Sequence, residues 1–316
     1  MFSRKLVDDD KFEMVQDADS ADVVVSVYDF KKTAHFVTLD PERHVYNQFP
    51  YEATLVMKHC LADCLRTIYG NHYPHFQESY YSITHLPAFI GRFMQKEKLK
   101  EDNTWILKPV NNARSSDHVV TNNLDCIIRH AETVPRLIQK YLPNPFLIDN
   151  KKIDTRMWVV VRSFSPLELY VHKYCYARIA STDFDMNETG LMDWTKHFGL
   201  SDRDEGHYNV GPRYEQVKEA FDNIEEDGWE KMRVKMHGVI KDLFKAAVLY
   251  KPEIHSENSR AYYGIDIIID QELTPHVLEV TFSPELSTVS GIIPSFMSEM
   301  FRCMFLREEE GMFKLF

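Results

Sequence analysis

Two short apolar runs near the C-terminus carry carboxylates among Ile, Val and Leu: Gly264-Ile265-Asp266-Ile267-Ile268-Ile269-Asp270, then Val277-Leu278-Glu279-Val280-Thr281. They read as two strands joined by a polar turn, Gln271 to Pro275. A carboxylate in such a run is costly to bury unless a cation neutralises it. Mg2+, held by one or two carboxylates and substrate phosphates, suits oxygen ligands beside a nucleotide. Asp266 and Glu279 are therefore candidates for a metal–nucleotide site, although edge strands with solvated acids explain the same pattern. Cations of the right kind lie upstream. Lys108 ends the run Trp105-Ile106-Leu107-Lys108-Pro109, where it either meets a phosphate as a point charge or stands in solvent. Lys152, Asp154 and Arg156 alternate along one strand, so they share one side of it. That side lines a charged cleft or forms a solvated edge. Arg178, among Ala177, Ile179 and Ala180, sits where an arginine usually has a partner.

The elements that must position these groups alternate along the chain. Asp22 to Phe30 reads as a buried strand, while Ala53 to Ile68 and Thr84 to Gln95 read as amphipathic helices, with Thr84 as N-cap and Pro87 in the first turn. Thr104–Leu107, Leu137–Tyr141, Phe146–Asp149, Ile153–Phe164, Leu167–His172 and Tyr176–Ala180 read as strands broken by Pro, Asn and Lys turns. Tyr214–Ile224 and Trp229–Leu249 are helical by period, the acidic strand pair follows, and a closing helix begins near Ser295. No repeat, low-complexity tract or Gly/Ser-rich linker divides the chain.

Composition narrows the class. The 316 residues, 44% apolar and 13% aromatic, suffice for a sizeable core or several lobes and exclude a disordered chain. No run approaches the ~18–20 apolar residues of a membrane span, and the N-terminus lacks the apolar centre of a signal peptide. Five scattered cysteines without Cys-x-x-Cys spacing point to reduced thiols in the cytoplasm; Cys60 and Cys64 share a helix face. The net charge of −11 is uneven. Ile90–Arg178 holds 15 basic and 9 acidic residues, whereas Ser181–Glu230 holds 14 acidic and 4 basic. A basic middle suits a phosphate-bearing ligand or an acidic peptide, and the overall acidity argues against nucleic acid.

Several ordered motifs then carry a resemblance. From about Val15 to the end, the chain resembles the tubulin tyrosine ligase-like family, an ATP-grasp fold, through Asn47-Gln48-Phe49-Pro50, Thr104 to Pro109, Gln139-Lys140-Tyr141-Leu142, Lys152-x-Asp154-x-Arg156, Arg178, Gly264-x-Asp266 and Leu278-Glu279-Val280. It looks most like a divergent branch, the twelfth, through Lys108-Pro109-x-Asn111-x-Ala113-Arg114-Ser115, Ile127-Ile128-Arg129-His130, Lys196-His197-Phe198 and Phe282-x-Pro284. That branch is expected to carry a further N-terminal module, absent here as in a truncated or shorter form. The resemblance implies an α/β (mixed α+β) ATP-grasp-type fold with lobes 1–85, 86–150 and 151–316 around a nucleotide cleft. It implies that Lys108 and Lys152 hold ATP phosphates and that Gln139, Lys140, Tyr141 and Leu142 form the hinge that receives adenine. Asp154, Arg156 and Arg178 would line the acceptor and acyl-phosphate site, and Asp266 and Glu279 would bind Mg2+ with weak help from Thr281. In active members, by this resemblance, ATP phosphorylates a carboxylate and an amine then attacks the acyl phosphate. Tubulin is the implied partner.

Four departures cut against that chemistry. Val110–Val119 has no glycine where active relatives place a glycine-rich loop, so backbone approaches phosphate less freely. Thr281 stands where the family has a metal-binding Asn. His197-Phe198-Gly199-Leu200 replaces His-Leu-Thr-Asn, and Lys173-Tyr174-Cys175 replaces Arg-Glu-Gly. The expectation is a degraded ligase that binds ATP weakly with Mg2+ and binds tubulin or regulates its modification. The alternatives are a working amino-acid ligase and a non-catalytic nucleotide sensor.

Overall fold

Alternating apolar positions place one face of each long strand in a core, and this decides the architecture. A computed structural model describes residues 9–15, 17–27, 40, 42–71, 73–110, 117–180, 182–187, 191, 193–197, 214–284 and 286–316. The strands are β1 (Val23–Val24), β2 (Val45–Tyr46), β3 (Ser79–Tyr81), β4 (Trp105–Pro109), β5 (Val119–Thr121), β6 (Arg136–Lys140), β7 (Leu147–Ile148), β8 (Lys151–Phe164), β9 (Leu167–His172), β10 (Tyr176–Ile179), β11 (Ala261–Ile269), β12 (Pro275–Phe282) and β13 (Met312–Lys314). Among the described residues a four-stranded sheet runs β3-β6-β4-β5. A larger one runs β12-β11-β8-β9-β13, with β7 and β10 also pairing β8. All pairs in both are antiparallel. This is the mixed α+β arrangement expected of an ATP-grasp-type fold.

The large sheet packs Ile153, Met157, Val159, Tyr263, Ile265 and Ile267 against the helix Gly228–Tyr250, which contributes Met232, Met236, Val239, Leu243 and Phe244. The odd-numbered residues of β8 make this core. Its even-numbered residues therefore face the other way, first as Lys152, Asp154 and Arg156, then as Trp158 and Val160 in a second core with Phe296 and Met300. In the smaller sheet Trp105, Leu107 and Ile138 pack on Phe89, Phe93 and Ile127. Ile106, Val120 and Tyr141 face away from that core and pack with Leu191, Phe184 and Met186.

Most strand expectations hold to within a residue or two, and the exceptions have local causes. The expected strand Asp22–Phe30 shrinks to Val23–Val24, parallel to Val45–Tyr46, and residues 28–30 lie outside the described set. Pairing stops because the Asn47 carboxamide takes over both backbone groups of Ser26: Oδ1 accepts its N–H at 2.8 Å and Nδ2 donates to its carbonyl at 2.8 Å. With its ladder bonds replaced, the strand cannot continue. The helix expected over Ala53–Ile68 is two helices, Ala53–Val56 and Lys58–Tyr69, separated by Met57 in an extended conformation. The helix expected from Thr84 starts at Ser82 and ends at Leu99. Thr84 is no cap, since β3 runs directly into the helix, and the Ser82 hydroxyl accepts the Arg136 N–H instead. Pro87 lies past the first turn, so the Ile83 carbonyl loses its intrahelical donor. Ile83 is exposed, at 62% of its surface. The helix Leu124–Thr133 carries a signal legible in sequence, Asn123, whose side chain accepts the Cys126 N–H.

No helix among the described residues is long and apolar enough to cross a membrane.

Candidate nucleotide site

Three local features aim the charged side chains into the space between the two sheets. The first is the two-residue turn Asp149-Asn150, both at positive φ, which joins β7 to β8 and starts the Lys152–Asp154–Arg156 alternation. Asp and Asn tolerate this geometry at low cost. The second is a β-bulge. Asp266 pairs with Glu279 but Ile267 pairs with Val277, so Leu278 is an extra residue on β12. The bulge frees the Leu278 carbonyl from the ladder, and it accepts from Lys108 Nζ at 3.4 Å. The third is Gly264. A Cβ there would lie 2.9 Å from Arg156 Nη1 and 3.0 Å from both Arg156 Cδ and Pro284 Cβ. Only glycine leaves room for the guanidinium. Gly264→Ala is expected to cost about 1–3 kcal/mol by overpacking. Gly238→Ala, with nothing within 4 Å of the new methyl, should instead gain about 0.5–1 kcal/mol from helix propensity. Urea titrations of the two variants check this, and equal midpoints would refute the packing argument.

Register then builds a charged row. Across β12, β11, β8 and β10, Glu279 pairs with Asp266, Asp266 with Arg156, and Arg156 with Tyr176; one step along, Asp154 pairs with Arg178. Neighbouring strands lie about 4.7–4.9 Å apart, so these side chains touch. Arg156 donates to both Asp266 oxygens, with Nη2 2.9 Å from Oδ2. Arg178 Nη2 approaches the same Oδ2 at 2.7 Å and is also paired with Asp154. Burial opposes ionisation of Asp266, but the two guanidiniums outweigh it and hold the carboxyl well below the usual carboxylate range.

The lysines occupy the facing wall. Lys108 Nζ donates to Gln139 Oε1 at 2.7 Å, and Gln139 Nε2 donates to Ser79 Oγ at 3.0 Å. Lys152 Nζ donates to the Tyr141 hydroxyl and to the His197 carbonyl, both at 3.0 Å. The hydroxyl lies 2.7 Å from His197 Nδ1. Burial pushes both ammonium groups down to about 8; nearby acids resist this, and the neighbouring lysines add to it. The expected hinge divides. Gln139 and Tyr141 face the cleft and Leu142 is half-buried, whereas Lys140 turns to the opposite face, over Trp105 and paired with Asp102. The backbone N–H groups of Lys140 and Tyr141 are bonded to the Glu78 and Thr104 carbonyls.

Two cleft residues escape sequence pattern. Lys58, at the start of its helix, places Nζ 3.3 Å from Glu279, and nothing local in the sequence signals that contact. His118 is pushed down to about 2 by burial and by the Lys108 and Lys58 charges, so it is a neutral ring. Of the four departures, residues 111–116 and 198–200 lie outside the described residues. Thr281 is half-buried and pairs with Gly264.

The residues brought together fit the phosphates of a nucleotide better than they fit a divalent ion. Mg2+ demands about six oxygens in near-octahedral array. Both Asp266 oxygens already accept from guanidiniums, Glu279 faces Lys58, and no group of three or more His, Cys, Asp or Glu side chains among the described residues could hold a metal. Asp266 and Glu279 are adjacent, as expected, but as they stand they do not form a Mg2+ site with Thr281.

Known proteins are similar in sequence over most of the chain. The model of the tubulin-tyrosine ligase family covers residues 37–310. Tubulin–tyrosine ligase-like protein 12 of Mus musculus is 32% identical over 289 residues, spanning 84% of this chain and 44% of the mouse protein. The Homo sapiens protein of the same name is 30% identical over 321 residues, 95% of this chain and 49% of its own length. Tubulin glycylase 3E of Tetrahymena thermophila is 29% identical over 228 residues, 67% of this chain and 16% of the glycylase. The chain spans about half the length of the first two relatives. The family model spans most of the chain and two relatives are 30% identical or more over most of it, so the chain belongs to the tubulin-tyrosine ligase family.

Proposed function

We propose that this chain binds a nucleoside triphosphate, ATP by resemblance, without ligating amino acids efficiently, and that it acts on tubulin modification through binding. The observation that carries the nucleotide part is the pair Lys108 and Lys152. Each is a buried ammonium whose hydrogen-bond acceptors among the described residues are all neutral: an amide, a hydroxyl and two carbonyls. Desolvated cations without their own carboxylates are stabilised by an incoming anion. Phosphates would meet these two groups. The base would lie toward Ile106, Val120 and Tyr141, displacing Phe184 and Met186 from that apolar surface. The three lobes 1–85, 86–150 and 151–316 would close around it. Arg156, Arg178 and Asp154 would line the acceptor end.

Weak or absent ligation is supported by the replaced family positions, above all Thr281. Losing one group that stabilises the transition state typically costs ~10²–10³-fold. An acidic tubulin tail suits the basic stretch Ile90–Arg178, and five free cysteines suit the cytoplasm. The assay is incorporation of labelled tyrosine, glutamate or glycine into tubulin beside an active family member. No incorporation above background is expected, and Thr281→Asn alone should not restore it. ATP-dependent incorporation by the unmodified chain would promote the second reading, a working ligase. That reading is favoured by the retention of Lys108, Lys152, Asp154, Arg156, Arg178, Asp266 and Glu279 in one cleft. Binding without any effect on tubulin would leave the nucleotide sensor.

A further inference from the structure

We propose that the cleft takes the free, metal-less triphosphate, with the chain's own guanidiniums in the place of a divalent ion. The inference rests on the nucleotide reading above and adds the charge state of the ligand.

Asp266 would have to lead any metal site, and it is the most committed acid in the cleft. It is 2% exposed; Oδ1 accepts from Arg156, and Oδ2 from Arg156 at 2.9 Å and Arg178 at 2.7 Å. Handing this carboxylate to a metal would strip two guanidiniums of their shared partner while adding a dication beside them. Arg156 lies directly over Gly264, with Nη1 2.9 Å from where a Cβ would stand, so it is seated against the strand that bears Asp266. Arg178 is anchored a second time on Asp154. Glu279, the other acid of the pair, faces Lys58 at 3.3 Å.

The pairing of the acids points the same way. Among the described residues, five cations, Lys58, Lys108, Lys152, Arg156 and Arg178, share the cleft with three carboxylates, Asp154, Asp266 and Glu279. A dication entering alone would double the excess of two positive charges where water screens poorly. In a metal-dependent site the ion reconciles clustered acids with phosphate. Here each carboxylate already has a cationic partner, and phosphate oxygens would meet Lys108 and Lys152 with no ion needed between them.

Calorimetric titration of the full chain with ATP, once in EDTA and once with excess Mg2+, reads this directly. The expected result is binding in EDTA at an affinity equal to or several-fold above that with Mg2+. Affinity that appears only with Mg2+ overturns the inference and leaves the nucleotide reading intact. Binding in neither condition overturns both. Glu279→Gln gives an opposite-sign check at a half-exposed position where folding is not at stake. It releases Lys58, so affinity for free ATP should rise several-fold; a fall, together with lost Mg2+ dependence, would identify Glu279 as a metal ligand and refute the proposal. Mn2+ titrated alone and followed by electron paramagnetic resonance should remain free, and stoichiometric capture would count against it.

Discussion

Asp266→Ala is expected to destabilise the protein by about 3–5 kcal/mol, since breaking one partner of a buried ion pair leaves an uncompensated charge behind. Two guanidiniums depend on this carboxylate, and both strands that bear them pair with β8 or belong to it. Arg178 retains Asp154, but among the described residues Arg156 has only Asp266 as an acid partner. Asp266→Asn keeps an acceptor oxygen and the shape while removing the charge, so its cost should be smaller. Arg156→Met combined with Asp266→Leu removes charge on both sides and should recover much of the loss, because apolar replacement of a whole buried pair is often neutral or better. Urea unfolding of the four proteins tests the idea. An Asp266→Ala loss below about 1 kcal/mol, the range of surface pairs, would mean that water reaches the network.

The second large effect is on pH dependence. Binding of a triphosphate requires the protonated forms of Lys108 and Lys152, which burial holds at about 8. Affinity should therefore be level below about pH 8 and fall above it, by up to about tenfold per pH unit for each lysine that must regain its proton. The two lysines repel one another, so the steps belong to the pair, and the combined fall approaches a hundredfold per unit. Lys152→Met should halve the slope as well as weaken binding. The stability of the ligand-free protein moves in the opposite direction. Below pH 8 the native and unfolded chains both hold these protons, and the cost of burying two ammonium groups is fully present. Between about 8 and the unperturbed value near 10.4 the unfolded chain keeps protons that the native chain has released, so the lysine contribution to stability rises with pH. Affinity measured from about pH 7 to 9.5 that does not change would show that neither lysine meets the anion.

Much of this site was legible in the sequence for a simple reason: strand periodicity is local. Lys152, Asp154 and Arg156 had to share one face because successive side chains alternate, and they do. The acidic runs read as strands because Ile, Val and Leu flank each carboxylate, and β11 and β12 pair with Asp266 opposite Glu279. The motif order was enough to point to the family. The short strands Ser79–Tyr81, Val119–Thr121 and Met312–Lys314 were not legible, since their pairing is supplied by distant neighbours rather than by their own composition.

What only the tertiary structure decided was which charge answers which. Asp266 could have faced solvent, a metal or an arginine. The registers of β8 with β10 and β11 gave it two guanidiniums, and a slip of one residue would have turned Arg156 into the core. The bulge at Leu278 turned a ladder carbonyl toward Lys108. Alternation on β6 faced Gln139 into the cleft and sent Lys140 to the other side of the sheet. Lys58, far away in the chain, reached Glu279 because the helix broke at Met57 and restarted beside the hairpin. Ion pairing depends on position to within a few ångströms, and positions between distant segments are set by registers, bulges and breaks that no local stretch of sequence encodes.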